Sequence, residues 1–207
     1  MNSIPEFITF TGIDDRTDLA KADSLASQFP IEWGILFSVN NKDARYPCSQ
    51  AIFEMLTITG KKSAHLCGRI SRDVQAGVIP KHVPLGAFDR VQVNGQRVKM
   101  DHLRDLKAQY GVSIILQSVE DQFLSGEFQQ LFDRSGGEGI FPEAVPVLPG
   151  DGALVGYAGG IGPDSVKDYL ERISGTGDFW IDMEGRVRTN GWFDLDKVAR
   201  VCEQVYG

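Results

Sequence analysis

Two glycine clusters carry the clearest chemical signal in the chain. Asp133-Arg134-Ser135-Gly136-Gly137-Glu138-Gly139 is echoed about twenty residues later by Gly156-Tyr157-Ala158-Gly159-Gly160-Ile161-Gly162-Pro163, and each directly follows an apolar run that reads as a buried strand. Glycine tolerates positive φ and has no side chain to hold a ligand away. Backbone N–H groups in such loops can therefore approach an anion, and two loops at successive strand ends suggest one phosphate-handling rim. The first cluster also brings a carboxylate, Asp133. Neither is a dinucleotide fingerprint, which needs a long helix directly behind the glycines. His65, His82 and His102 lack ligand spacing. Cys48, Cys67 and Cys202 are few, odd in number and widely spaced, which fits reduced thiols and gives neither a disulfide framework nor a zinc pattern. No metal and no cofactor is expected.

The balance of charge narrows the partners. A formal net charge of −7 and a pI near 5.0 argue against a nucleic-acid surface, because phosphate backbones are bound by clustered Lys and Arg. No apolar stretch approaches the roughly 20 residues of a membrane span. The start Met1-Asn2-Ser3-Ile4-Pro5-Glu6 has neither a basic region nor a signal-peptide core. A soluble, cytoplasmic protein with a small-molecule partner is expected, with no nucleic acid and no membrane involved. At 207 residues and 42% hydrophobic content, one domain over residues 1–207 is expected.

The elements that must position these loops follow from periodicity. Eight short runs read as strands: 7–10, 31–37, 64–67, 90–93, 112–116, 128–132, 154–157 and 179–181. They are mostly apolar throughout, as strands covered on both faces are. Helical spacing appears between several of them. Leu19, Ala22, Leu25, Ala26 and Phe29 follow the acidic pair Asp14-Asp15, which reads as a helix start, and Ala51, Ile52, Met55 and Leu56 mark a second helix. Asp101 can cap a helix carrying Leu103 and Leu106. Pro163 and Asp164 open one with Val166, Tyr169, Leu170 and Ile173 inside. A last stripe of Leu195, Val198, Val201, Cys202 and Val205 makes Cys202 a core thiol. The third, fifth and sixth crossovers are poor helices: 72–90 contains Gly77, Pro80, Pro84 and Gly86 and 140–152 three prolines, so these connections read as short helical turns or loops. The alternation predicts an α/β fold, a single (β/α)8 TIM barrel with some short or irregular crossover helices; an open doubly wound sheet is the alternative. The glycine loops would follow strands six and seven, where such barrels bind phosphate.

The order of motifs resembles the phosphoribosylanthranilate isomerase family, small single barrels of tryptophan biosynthesis, over nearly the whole chain. The family's Lys-Ile-Cys-Gly-Ile at the end of the first strand is matched by Thr9-Phe10-Thr11-Gly12-Ile13, and its Ser-Pro-Arg-Tyr by Asp43-Ala44-Arg45-Tyr46. Val-Gln-Leu-His-Gly is similar to Val91-Gln92-Val93-Asn94-Gly95. The most specific matches are the strand-six aspartate with its glycine loop at 132–139, and Leu-Ala-Gly-Gly-Leu at Tyr157-Ala158-Gly159-Gly160-Ile161. Val-Asp-Val-Ser-Ser-Gly is matched, with substitutions, by Ile181-Asp182-Met183-Glu184-Gly185.

The resemblance implies an Amadori-type aldose-ketose isomerisation of a phosphorylated ribosylamine or related sugar phosphate, needing an acid and a base but no cofactor. Asp133 would be the acid, its pKa raised by desolvation. Arg45 would grip a substrate carboxylate, Asn94, Gly136 and Gly137 would line the substrate, and Gly159, Gly160 and Gly185 would take the phosphate. Thr11 stands where the family has its catalytic cysteine, and a hydroxyl is too weak an acid to serve as a base near neutrality. Cys67 ends the third strand much as Thr11 ends the first and is a substitute base, with a packing thiol as the competing reading. Asp14 and Asp15 are a further source, helix capping being their first duty. Glu184 falls where the family has a small hydroxyl residue near the phosphate, and Arg186 or Arg188 would have to offset its charge. These departures motivate a second reading, a catalytically inactive barrel serving as a ligand-binding or interaction module. Phe88, Phe123 and Trp192 either cover a subunit contact or pack locally, so that a monomer and a homodimer are both open.

Overall fold

Strictly alternating side chains organise this fold, with one set facing outward to helices and the other facing into a closed ring of strands. The computed structural model describes residues 4–39, 43–94, 99–124 and 126–207. Eight parallel strands close on themselves: β1 (Ile8–Thr11), β2 (Ile31–Phe37), β3 (Lys61–Leu66), β4 (Arg90–Val93), β5 (Ser113–Ser118), β6 (Gln129–Phe132), β7 (Val155–Tyr157) and β8 (Phe179–Met183). Neighbours in sequence are neighbours in the ring, and β8 returns to β1 with Ile8 opposite Ile181 and Thr9 opposite Asp182. Each of the eight expected strands is present. The architecture is a (β/α)8 barrel rather than an open sheet.

Six helices pack outside among the described residues: α1 (Leu19–Ala26), α2 (Ser49–Met55), α3 (Gly68–Gln75), α4 (Met100–Tyr110), α5 (Val166–Leu170) and α6 (Leu195–Tyr206). The crossovers after β5 and β6 hold no helix among the described residues, and the three prolines within 140–152 account for the second. The third crossover differs from expectation. Its glycines and prolines lie downstream, so that Gly68–Gln75 is free to coil before the chain turns into a single 3₁₀ turn at Leu85–Ala87. Capping differs as well. Asp18, not Asp14 or Asp15, caps α1 by accepting from the Lys21 N–H, and α4 begins behind Lys99 with Asp101 inside its first turn. Pro163 and Asp164 precede the start of α5, whose N-cap is Ser165. In α6, Leu195, Val198, Val201 and Cys202 are buried, which makes Cys202 the core thiol its spacing foretold.

The outer core is apolar: Ile8 and Phe10, Trp33 and Ile35, Val91 and Val93, and Ile181 and Met183 meet the helices in one cluster. The inner face is mixed rather than apolar throughout: Phe7, Ile115, Leu131, Ala158 and Trp180 form a second apolar cluster, with polar groups beside it. Thr9, Glu32, Ser63, His65, Arg90, Gln92 and Asp182 are all buried there. Near the bottom of the barrel Arg90 pairs with Glu32 through Nε–Oε2 at 2.7 Å and Nη2–Oε1 at 2.6 Å, and Thr9 donates to Glu32 Oε1 at 2.9 Å. Arg90 also lies over the Trp180 ring, 4.2 Å from its centroid. Burial opposes the charge of Glu32, but the guanidinium and the Thr9 hydroxyl hold its pKa below the usual value. Gly156 makes room for Trp180, since a Cβ there would lie 2.3 Å from the indole Cε2. Beneath the mouth, then, the barrel is filled.

Phe88, Phe123 and Trp192 do not form an exposed apolar face. Phe88 is buried against Phe37, Phe123 packs edge-on to Tyr157, and Trp192 lies under the Arg16 guanidinium. No helix among the described residues is long and apolar enough to cross a membrane.

Candidate functional site

At the C-terminal ends of the strands the barrel opens into a cavity of about 450 Å³. Parallel strands deliver their last inward side chains to one place, so residues far apart in sequence line it together. Of the residues singled out in the sequence, Thr11, Arg45, Cys67, Asn94, Asp133, Gly137, Gly159, Gly160 and Gly185 all contribute to its wall. Gly136 is not among the lining residues. Gly95, the last residue of its motif, lies outside the described residues.

Asp133 follows β6 and is buried, 6% exposed. Its carboxylate accepts three hydrogen bonds: Oδ2 from Gln117 Nε2 at 2.9 Å, and Oδ1 from Ser135 Oγ at 2.8 Å and Ser135 N–H at 3.2 Å. Two strands away, on β8, lies a second carboxyl group, which stands in a matched motif but has no role assigned from sequence. Asp182 lines the same cavity and accepts from Thr11 Oγ on Oδ1 at 2.8 Å; among the described residues Oδ2 has no partner. Burial pushes the Asp182 pKa up to about 8, the Thr11 hydrogen bond works against this, and the Glu32 and Glu184 carboxylates add to it. Between the two, β7 presents only Gly156 and Ala158 inward, which leaves roughly 10 Å, two strand spacings, open above it. Asp182 was hidden in sequence because only closure of β8 on β1 brings it beside Thr11.

The other candidates for a proton acceptor fare differently. Cys67 is largely buried, and burial together with Glu184 pushes its thiol up to about 11, so it stays protonated near neutrality. Its Sγ faces the His65 carbonyl at 3.7 Å. His65 lines the cavity next to Ser63, 3.0 Å from its Oγ, and burial pushes its pKa down to about 4, leaving a neutral imidazole. Asp14 and Asp15 are structural. Asp14 is buried, pairs with Arg188 at 2.7 Å and accepts from the Phe193 N–H at 2.7 Å, while Asp15 accepts from the Cys48 N–H at 2.9 Å.

Arg45 reaches Glu184 with Nη1–Oε1 at 2.8 Å and Asp43 with Nε–Oδ2 at 2.9 Å. Arg45, rather than Arg186 or Arg188, is therefore the direct partner of Glu184. Burial raises the Glu184 pKa against the pull of Arg45 and Arg188. On the other side of the mouth Gly159 and Gly160 hold φ of +99° and +68°, the left-handed backbone that favours glycine. Arg186 lies against Gly162 of the same loop, where a Cβ would sit 2.5 Å from the arginine Cβ. Among the described residues Arg186 forms no ion pair.

Fold and cavity together define a (β/α)8 barrel of minimal size, open at the strand ends and lined by opposed carboxyl groups and glycine loops. No protein-family model matches the sequence, and no curated protein matches it by sequence. Three solved structures that share the fold over nearly its whole length are phosphoribosylanthranilate isomerases. A monomeric form of the dimeric enzyme from Thermotoga maritima has a TM-score of 0.63 and 14% identity, over 99% of this chain and 100% of that one. The enzyme from Pyrococcus furiosus has a TM-score of 0.65 and 13% identity over 96% and 98% of the two chains. That from Thermococcus kodakaraensis gives 0.62 and 14% over 98% and 99%. At such identities the similarity is one of fold.

Proposed function

We propose that the protein is an aldose-ketose isomerase of Amadori type, acting on a phosphorylated ribosylamine or related sugar phosphate. The observation that carries this reading is the pair of carboxyl groups, Asp133 and Asp182, facing one cavity across a strand of small residues, with the glycine loops at its rim. The reaction needs one group that gives a proton to the ring oxygen as the ring opens and another that takes the proton from C2. The resulting enolamine then becomes the aminoketose. Paired carboxyl groups in unlike surroundings can divide that work.

The hydrogen bonding favours a division opposite to the one the resemblance implies. Asp133 acts three times as an acceptor, so we assign it the proton-accepting role. Asp182, with its pKa near 8, carries a proton at neutral pH and is the acid. The Thr11 hydroxyl donates to Oδ1 and so leaves the acidic proton on Oδ2, the oxygen without a partner. Thr11 thereby acts as a positioning residue where the resembling family has a base. Gly159, Gly160 and Gly185, with Arg186, would hold the phosphate through backbone N–H groups and one guanidinium.

The test is to supply the purified protein with a panel of ribosylamine 5-phosphates, phosphoribosylanthranilate among them, and follow ketose formation by NMR. At least one member should be converted, and Asp133→Asn should slow that conversion by about 10²- to 10⁴-fold. Binding of the panel with no conversion of any member would leave the barrel a ligand-binding module and contradict the assignment.

A further inference from the structure

The charges lining the cavity are unevenly placed. Among the described residues Arg45 and Arg186 are the arginines in its wall, and the segment after β8 sends Glu184 and Arg186 to different sides. Arg186 packs on Gly162, next to the glycine loop, and is in no ion pair among the described residues. Glu184 instead turns toward the loop after β2, where Arg45 meets it at 2.8 Å and Asp43 at 2.9 Å. One guanidinium there answers two carboxylates. Arg188 is committed elsewhere, to Asp14 and to the Gly12 and Gly191 carbonyls, and His65 is neutral. One side of the mouth is thus suited to an anion, while among the described residues Arg45, Asp43 and Glu184 leave the side toward β2 with a net negative charge. Gln92 adds an acceptor to the wall: its Nε2 donates to Asn94 Oδ1 at 2.8 Å, whereas its buried Oε1 has no partner among the described residues.

We propose that the site takes a sugar phosphate whose far end carries a basic nitrogen, and that Glu184, assisted by Asp43, turns away ligands with a carboxylate at that end. The inference rests on the reading that the glycine loops hold the phosphate. An incoming carboxylate would meet an arginine already shared between two carboxylates, while a protonated amine would meet, among the described residues, two carboxylates answered by one guanidinium. Such juxtapositions set specificity by repulsion as much as by attraction.

Stable ligands separate selectivity from catalysis. The probes are ribose 5-phosphate and three 1-arylamino-1-deoxyribitol 5-phosphates whose aryl groups are phenyl, 2-carboxyphenyl and 2-(aminomethyl)phenyl, with affinities measured by calorimetry at low ionic strength. The aminomethyl compound should bind the natural protein about tenfold more tightly than the phenyl compound, and the carboxyphenyl compound about tenfold more weakly. Glu184→Gln, which keeps an oxygen for Arg45, should bring the carboxyphenyl compound about tenfold closer to the phenyl compound. Asp43→Asn, at a more exposed position, should shift it in the same direction and serves if the first variant folds poorly. Tightest binding of the carboxyphenyl compound by the natural protein, or an order unchanged in both variants, overturns the inference while leaving the phosphate reading in place. If neither ribose 5-phosphate nor any aryl compound binds, both fall.

Discussion

In the proposed reaction Asp182 is the residue on which proton transfer turns, and its burial also has a consequence for stability. In the folded chain burial holds its carboxyl group protonated up to about pH 8, whereas the unfolded chain ionises it near 3.8. Between these values the folded state binds the extra proton, so stability from this group is complete at low pH and is lost as pH rises toward 8. Asp182→Asn removes that dependence. Calorimetry should show the melting temperature of the variant rising relative to the natural protein between pH 5 and pH 8.5; a constant difference would mean that Asp182 is already ionised. At this scale the sequence was partly legible. Asp133, Arg45, Gly137, Gly159, Gly160 and Gly185 were marked by their motifs and do line the cavity, whereas Gly136 does not. Asp182 stood inside a matched motif without a role and Gln117 in none, because their significance depends on which strands end beside one another. Glu184 was noticed as an obstacle, yet its partner lies 139 residues away, too far for sequence spacing to reveal.

Among the elements, the loop after β7 shows how a single glycine run divides its tasks. Gly156 accommodates Trp180 inside the barrel, Gly159 and Gly160 shape the mouth, and Gly162 accepts the flank of Arg186. Sequence showed the cluster without separating these duties, since each depends on what the fold lays against it. Gly160 is the most constrained by backbone. A Cβ there would lie 2.6 Å from the Phe141 N and 2.8 Å from its Cα, and its φ of +68° disfavours other residues. Gly160→Ala should destabilise the protein by about 1–3 kcal/mol in urea unfolding and weaken ribose 5-phosphate binding at the same time. Unchanged affinity in a folded Gly160→Ala protein would place the phosphate elsewhere. Strand positions were legible because short apolar runs between turn residues leave few alternatives. Helix starts were less so: Asp14 was read as a cap, but the closed barrel brings Arg188 and Phe193 to it and draws it into the C-terminal hairpin instead.

For the whole molecule, closure of the barrel is what joins the two halves of the site. The polar part of the inner face depends on curvature of the sheet: Glu32, Arg90 and Thr9 come from β2, β4 and β1 and satisfy one another across it. Read along one strand they are isolated charges, which is why apolar runs were expected on both faces. The filled floor beneath and the open cavity above confine solvent-accessible chemistry to the strand ends, where β6 supplies one carboxyl group and β8 the other. The account stands on their division of labour, and the pH dependence of turnover tests it most directly. With a ribosylamine 5-phosphate that the protein converts, kcat/KM should fall as pH rises through about 8, where Asp182 loses its proton, and Asp182→Asn should abolish that limb along with most of the activity. A rate that instead rises through the same range would make Asp182 the base and contradict the assignment.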